Sequence, residues 1–143
     1  MTDTSRLHLR VGEAAIDVAA LVARVADPGA GAVLTFVGTV RDSKHGKRVV
    51  GIDYEAYVPM AERVLGRIGA TLLERWPICR AALVHRTGWL AVGEASLAIT
   101  LSTPHRVAGF EALRYAVEAL KCDLPVWKRE HFEDGAVWVQ EGS

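Results

Sequence analysis

The chain has 143 residues, half of them hydrophobic, and its 17 lysines and arginines are balanced by 17 aspartates and glutamates. This length and apolar content suit one domain with its own core and exclude an extensively disordered chain. A net charge of zero argues against a nucleic-acid binder, which carries a basic excess, and no apolar run approaches the ~20 residues that span a membrane.

The first part of the chain predicts two strands separated by a short helix. A strand is predicted at 7–11 and the helix at 16–26, with Asp17 as its N-cap. Residues 32–40 are rich in Val, Leu, Thr and Phe and predict a largely buried strand. The polar segment 42–48 contains a glycine and predicts a mobile loop, which places the next strand after it.

The middle of the chain continues with a strand, a long helix and a second strand. The strand at 49–57 is expected to have one apolar face. Pro59 suits the first turn of a helix that runs as far as about Trp76. A short strand follows at 81–86 and ends in a turn at Gly88. In the strand at 49–57 the predicted apolar face consists of Val50, Ile52, Tyr54 and Ala56.

The last third of the chain begins with a strand at 95–102, where apolar and hydroxyl side chains alternate. A third helix is predicted from about His105 to Lys121. Its apolar spacing predicts a buried stripe along one side of the helix. That stripe consists of Phe110, Leu113, Val117 and Leu120.

The chain closes with a predicted hairpin, because an Asp-Gly turn separates strands at 126–132 and 136–140. The resulting element order, βαββαββαββ, mixes hairpins and crossovers. It predicts an α+β fold, with residues 1–143 as a single domain and residues 1–5 flexible.

The stretch from Lys121 to Glu130 is poor material for a core, and it suits a site for an anionic or electrophilic ligand. Lys121 ends a helix, where a cation interacts favourably with the helix dipole. Nucleophilic use of this amine would need desolvation or a second cation, which Lys128 could supply if Pro125 folds the chain back. The alternative for Lys128 is protection of an exposed edge strand.

Three further cationic side chains lie elsewhere in the sequence. His105 and Arg106 begin the third helix, where backbone N–H groups attract anions and a guanidinium suits phosphate. The alternative is a solvated first turn. Arg41 follows a strand, a position where functional residues often lie. The pair His85-Arg86 is either structural or part of a pocket wall.

Other classes of site find no support in the sequence. Cys79 and Cys122 form no CxxC or zinc spacing and are expected to be reduced. No ligand spacing indicates a metal, and no GxGxxG or P-loop motif is present, so we expect neither metal nor cofactor. The N-terminus lacks the basic and apolar blocks of a signal peptide, which predicts a cytoplasmic location.

Several motifs, taken in order, resemble one known family. The run Leu-Pro-Val-Trp-Lys-Arg-Glu is particularly specific. Along nearly its whole length the chain resembles the large, catalytic subunit of molybdopterin synthase. The matching stretches are 36–41, 84–88, 105–106, 110–112 and 121–130.

The resemblance implies an α/β hammerhead fold with an additional antiparallel β subdomain. It also implies a homodimer within a heterotetramer, with one small ubiquitin-like sulfur-carrier subunit on each side. The carrier brings a C-terminal Gly-Gly thiocarboxylate. Two successive sulfur transfers to cyclic pyranopterin monophosphate then form the molybdopterin dithiolene. The alternative is a non-catalytic binding module for a phosphorylated pterin or a ubiquitin-like tail.

The resemblance also implies roles for individual residues. Lys121 resembles the main catalytic lysine and Lys128 the second essential one, while Glu130 would orient Lys128 or Arg129. Thr39 and Val40 would line the pocket through their backbone. The residues implied to hold the pterin phosphate are Arg41, His105 and Arg106, with Arg129 as a further candidate from the neighbouring subunit. Cys122 and Asp123 match no motif position.

Overall fold

The structure, a computed structural model, describes residues 3–140. The segment predicted to be flexible, 1–5, falls partly outside this range, since residues 1 and 2 are not described. From Asp3 onward the chain is ordered into a short 3-10 turn, Thr4–Arg6. The Asp3 carboxylate caps this turn by accepting a hydrogen bond from the backbone N–H of Ser5 at 3.0 Å.

The described residues form three α-helices and nine β-strands. The helices are α1 (Val18–Arg24), α2 (Val58–Arg75) and α3 (Arg106–Asp123). The strands are β1 (Leu7–Gly12), β2 (Ala32–Thr39), β3 (Ser43–Lys44), β4 (Lys47–Ala56), β5 (Arg80–Arg86), β6 (Gly88–Ala91), β7 (Ala95–Thr103), β8 (Val126–Phe132) and β9 (Gly135–Gln140). No described helix is long and apolar enough to cross a membrane.

The first sheet has the strand order β1-β5-β7-β2, with β1 parallel to β5 and the other pairs antiparallel. Alternate residues of its central strands pack on opposite sides. Leu83 and Ile99 join the core formed with α2 and α3, whereas Val84 and Ala98 pack against Leu21 of α1. Helices therefore cover both faces, which explains why β7 is buried along nearly its whole length.

The second sheet is antiparallel, with the order β3-β4-β8-β9, and β6 pairs with β4 beside it. The predicted Asp-Gly hairpin is confirmed as β8 and β9. The α+β fold with an additional antiparallel subdomain is confirmed as well. Strand β8 lies between β4 and β9, so that Val126, Lys128 and Glu130 on one of its faces are buried, whereas Trp127 and Arg129 on the other are exposed.

Strand β2 is less buried than predicted. Of its residues only Leu34 is fully buried, while Val33 and Val37 are exposed. Its position explains the difference, because β2 is the outermost strand of the first sheet and has a neighbouring strand on one side only. The apolar composition of a strand does not reveal its place in a sheet.

The predicted buried stripe of α3 is wrong at its first position. Phe110 is 63% exposed, whereas Leu120 is buried as predicted. A Cβ at position 109 would overlap the Leu34 side chain, so α3 approaches β2 too closely for a large side chain. The buried residues of α3 are Gly109, Ala112, Ala116 and Leu120.

Two irregularities alter the predicted strands near Gly88. The register of β4 shifts between Val49 and Gly51, so Val50 leaves the predicted apolar face and is 50% exposed. Gly88, where a turn was predicted, has a φ of +85° and begins the four-residue strand β6. A β-bulge moves a side chain from one face of a sheet to the other, which alternation in the sequence does not predict.

Gly31 lies against the start of α3, and we expect its replacement by alanine to destabilise the protein. The added Cβ would overlap the backbone carbonyl oxygen of Pro104, while the N–H of Gly31 is held by the Thr103 carbonyl at 3.0 Å. Overpacking of this kind costs about 1–3 kcal/mol. Thermal unfolding followed by circular dichroism measures the effect.

Gly66→Ala is the matched control, because a Cβ at position 66 of α2 would have nothing within 4 Å. Alanine is favoured over glycine in a helix by about 1 kcal/mol, so this variant is expected to melt at or above the wild-type temperature. Equal melting temperatures for the Gly31→Ala and Gly66→Ala variants would show that the Pro104 segment moves without cost.

Candidate active site

A pocket of about 350 Å³ lies between the two sheets, beside the end of α3. Its wall contains five of the residues singled out from the sequence, together with seven others. The five are Thr39, Arg41, Lys121, Lys128 and Glu130, and the others are Gly38, Ser43, Lys44, Val49, Ile52, Tyr54 and Ser96.

Lys121 and Lys128 reach the same pocket through the turn that follows α3. The helix ends with a hydrogen bond from the N–H of Leu124 to the Leu120 carbonyl at 3.1 Å. The chain then reverses around Pro125 and enters β8. The predicted folding-back at Pro125 is therefore present, and it brings a lysine from a helix end and a lysine from a strand to one cavity.

Lys128 does not protect a sheet edge. Strand β8 is paired on both sides, with β4 and with β9, and Lys128 is only 7% exposed. The edge-strand interpretation is therefore wrong. Burying an ammonium group costs free energy unless a charge or hydrogen bonds compensate it, so this position needs a specific partner.

Glu130 is a partner of Lys128. It is 3% exposed, and its Oε1 atom lies 3.4 Å from the Lys128 Nζ. Residues of a strand alternate between faces, so Arg129 lies on the opposite, exposed side of β8, in register with Asp53. Of the two alternatives predicted for Glu130, the one with Lys128 agrees with this contact. Arg129 does not line the pocket of its own chain.

The end of β2 is held against the turn between β6 and β7. The N–H of Val40 donates to the Glu94 carbonyl at 3.0 Å, and the N–H of Gly93 donates to the Val40 carbonyl at 2.8 Å. Both backbone groups of Val40 are thereby used, and its side chain is buried, so Val40 supports the wall without lining it. The exposed residue Arg41 follows at the pocket itself.

Glu94 stabilises the same turn. Its carboxylate accepts hydrogen bonds from the backbone N–H of Ala91 at 2.8 Å and from the Arg86 guanidinium at 2.9 Å. These two contacts lower the pKa of Glu94 below its usual value. The turn that holds Val40 is therefore supported by an ionised carboxylate across the neutral pH range.

The segment 42–48, predicted as a mobile loop, forms a tight hairpin. Strands β3 and β4 are joined by His45 and Gly46, both with positive φ (52° and 75°). Two residues with positive φ form the turn type that matches the twist of a two-stranded ribbon. The hairpin directs Ser43 and Lys44 into the pocket wall.

His105 and Arg106 lie far from this pocket within one chain. They begin α3, and Lys121 lies at its other end, so a helix rise of 1.5 Å per residue separates Arg106 from Lys121 by about 22 Å. His105 and Arg106 are both exposed. One chain therefore cannot bring these two residues and Lys121 to the same small ligand.

Tyr54 also lines the pocket, a role that its place on a predicted apolar strand face did not indicate. Its ring packs edge-on against that of His85, with ring centroids 5.1 Å apart. His85 is 2% exposed, and its Nδ1–H donates to the Arg86 carbonyl at 2.9 Å. His85 therefore has the structural role of the two considered for it, because it supports the Tyr54 ring and does not line the pocket.

The charges around the pocket favour an anionic ligand. Four cationic side chains line it, Arg41, Lys44, Lys121 and Lys128, against the single carboxylate of Glu130. Partly enclosed cations attract phosphate and carboxylate groups and stabilise negative charge that develops during a reaction. In the described part of the chain, no group of three or more His, Cys, Asp or Glu residues is arranged to hold a metal ion.

Comparisons with known proteins agree on one family. Residues 11–123 match the family described as MoaE protein. The molybdopterin synthase catalytic subunit of Halalkalibacterium halodurans is 46% identical over 127 residues, which cover 89% of this chain and 81% of that protein. The human protein of the same name is 42% identical over 114 residues, 80% of this chain and 61% of that protein.

A solved structure shows the same fold. The crystal structure of molybdopterin synthase from Staphylococcus aureus superimposes with a TM-score of 0.86 at 35% sequence identity. The match covers 90% of this chain and 94% of that one, so the two chains share their architecture over nearly their whole length.

Proposed function

The chain belongs to the MoaE protein family, and we propose that it is the catalytic subunit of a molybdopterin synthase. In this function it transfers two sulfurs from a thiocarboxylated small carrier subunit to cyclic pyranopterin monophosphate. The observation that carries the proposal is the pocket in which Lys121 and Lys128 converge beside Glu130 and Arg41. The single domain at residues 1–143 and the cytoplasmic location of the protein stay predictions.

The pocket chemistry suits transfer of sulfur from an acyl group. The thiocarboxylate sulfur forms a bond to a side-chain carbon of the pterin, and the oxygen that this carbon carried leaves as water or as a phosphate oxygen. Water then attacks the acyl carbon, the bond between this carbon and the sulfur breaks, and the carrier leaves with a carboxylate. If a lysine amine takes the acyl group first, water hydrolyses the resulting amide to the same carboxylate. The Lys121 and Lys128 ammonium groups would stabilise the oxyanion on the acyl carbon and supply protons, and an amine that has given up its proton would accept one.

Dimerisation explains how His105 and Arg106 take part. They lie about 22 Å along α3 from Lys121, so they cannot reach the pocket of their own chain. A homodimer within the heterotetramer lets one protomer bring His105 and Arg106 to the pocket of its partner, where they hold the substrate phosphate with Arg41. The carrier tail then enters from the side of Lys121.

Reconstitution of sulfur transfer tests this function. The purified chain is mixed with a thiocarboxylated carrier and cyclic pyranopterin monophosphate, and molybdopterin is measured after conversion to a fluorescent derivative. We expect product in proportion to the carrier consumed. Tight binding of the pterin by calorimetry, with no product, would instead favour the non-catalytic binding module and overturn the proposal.

A further inference from the structure

The hairpin of β3 and β4 brings a third lysine to the buried carboxylate of the pocket. The Lys44 Nζ lies 2.8 Å from Glu130 Oε1, and the Lys128 Nζ lies 3.4 Å from the same oxygen. The Glu130 side chain is 3% exposed and that of Lys44 is 17% exposed. One buried oxygen is thus shared by two ammonium groups from different strands.

The two contacts are unequal. A distance of 2.8 Å is that of a charge-assisted hydrogen bond, whereas 3.4 Å is longer than such bonds normally are. Lys44 is therefore the closer counter-charge of Glu130. A buried carboxylate needs a paired and hydrogen-bonded cation to remain ionised at low cost, and Lys44 meets that need on the side of the hairpin.

The other ion pairs around this hairpin differ in kind. Lys47 pairs with Asp134 at 3.2 Å and Arg48 with Glu133 at 3.6 Å, and all four of these side chains are more than half exposed. Exposed pairs of this type contribute little to stability, because water screens them. The hairpin backbone is already paired along β4, so the inward contact of Lys44 is not required to form the strand.

We infer that Lys44 is a positioning residue of the sulfur-transfer site, which acts through Glu130 on Lys128. By serving as the closer partner of Glu130, Lys44 fixes the carboxylate at the pocket wall, and the fixed carboxylate sets the position of the Lys128 ammonium. The inference rests on the proposed function, since it concerns the placement of a lysine in that reaction.

A double-mutant cycle tests the inference in the reconstituted sulfur-transfer assay. The variants are Lys44→Met, Glu130→Gln and the two combined, with kcat and KM measured for the pterin. We expect Lys44→Met to lower kcat about tenfold, with KM changed by less than about twofold. In the Glu130→Gln background the Lys44 substitution should have no further effect, because its route of action is already removed.

Conservative and neighbouring variants complete the experiment. Lys44→Arg retains the ion pair and is expected to keep most of the wild-type kcat. Lys47→Met, on the same hairpin but paired at the surface, is expected to match the wild type. Thermal unfolding of every variant shows whether it is folded, and Lys44→Gln replaces Lys44→Met in the cycle if the methionine variant does not fold.

Three outcomes would overturn the inference while leaving the proposed function in place. They are an unchanged kcat for Lys44→Met, a rise in KM without a fall in kcat, and losses from Lys44→Met and Glu130→Gln that multiply in the double variant. The second outcome would mean that Lys44 contacts the substrate directly. A wild-type chain that forms no molybdopterin in the same assay would overturn the proposed function, and the inference with it.

Discussion

Replacing Lys121 with alanine is expected to abolish molybdopterin formation and leave the fold intact. The ammonium group lies at the pocket, where it can stabilise an oxyanion or transfer a proton, and loss of such a group lowers a rate by about 10²–10⁴-fold. Alanine is the best helix former, so the last turn of α3 should persist. The lost interaction with the helix dipole costs about 0.3–1 kcal/mol.

The measurement compares single-turnover product formation by Lys121→Ala with its thermal unfolding curve. Arg114→Ala is a matched control on the same helix, because Arg114 is exposed and pairs with Glu118 at 3.3 Å along the outer face. It is expected to be fully active. A fully active Lys121→Ala protein would contradict the proposed mechanism.

Mixing two inactive variants is expected to restore activity. Lys121→Ala removes the amine of the pocket, and Arg106→Ala removes a phosphate ligand that we propose comes from the partner protomer. A mixed dimer contains one pocket with both defects and one with neither. With random assortment, about one quarter of all pockets should be active, because half of the dimers are mixed.

Co-expression or joint refolding of the two variants provides the mixed dimers, and each variant alone provides the baseline. A mixture of Lys121→Ala with Lys128→Ala is the control, since both residues line the pocket of their own chain and mixing cannot restore it. If mixed dimers of Lys121→Ala and Arg106→Ala form but are no more active than each variant alone, the pocket is not shared between protomers.

Local signals in the sequence predicted local structure well. Asp17 was expected to cap α1, and its carboxylate accepts a hydrogen bond from the N–H of Ala20 at 3.1 Å. Pro59 lies in the first turn of α2, and the predicted hairpin turns at Glu133 and Asp134, with Gly135 at φ +138° as the first residue of β9. Each of these features depends on contacts within a few residues, so neighbouring side chains are sufficient to specify it.

Predictions that depended on distant contacts were less successful. Phe110 was expected to be buried, but the closeness of α3 to β2 leaves room there only for small residues. The strand β6 is too short to show an alternating pattern of apolar residues. The bulge in β4 moves Val50 out of the predicted apolar face of that strand. In each case another element of the fold decides the outcome, and the spacing of residues does not identify that element.

The amino-acid sequence was sufficient to identify the family, the α+β class and the two lysines of the segment from Lys121 to Glu130, because ordered motifs and local turns are written in consecutive residues. The assembly of the pocket required the folded chain. Pairing of β8 on both sides buries Lys128 beside Glu130, the β3–β4 hairpin adds Lys44, and the length of α3 separates Arg106 from Lys121. Strand order and helix packing depend on contacts between residues far apart in the sequence. The burial of a charged side chain and the identity of its partners are therefore determined only by the tertiary structure.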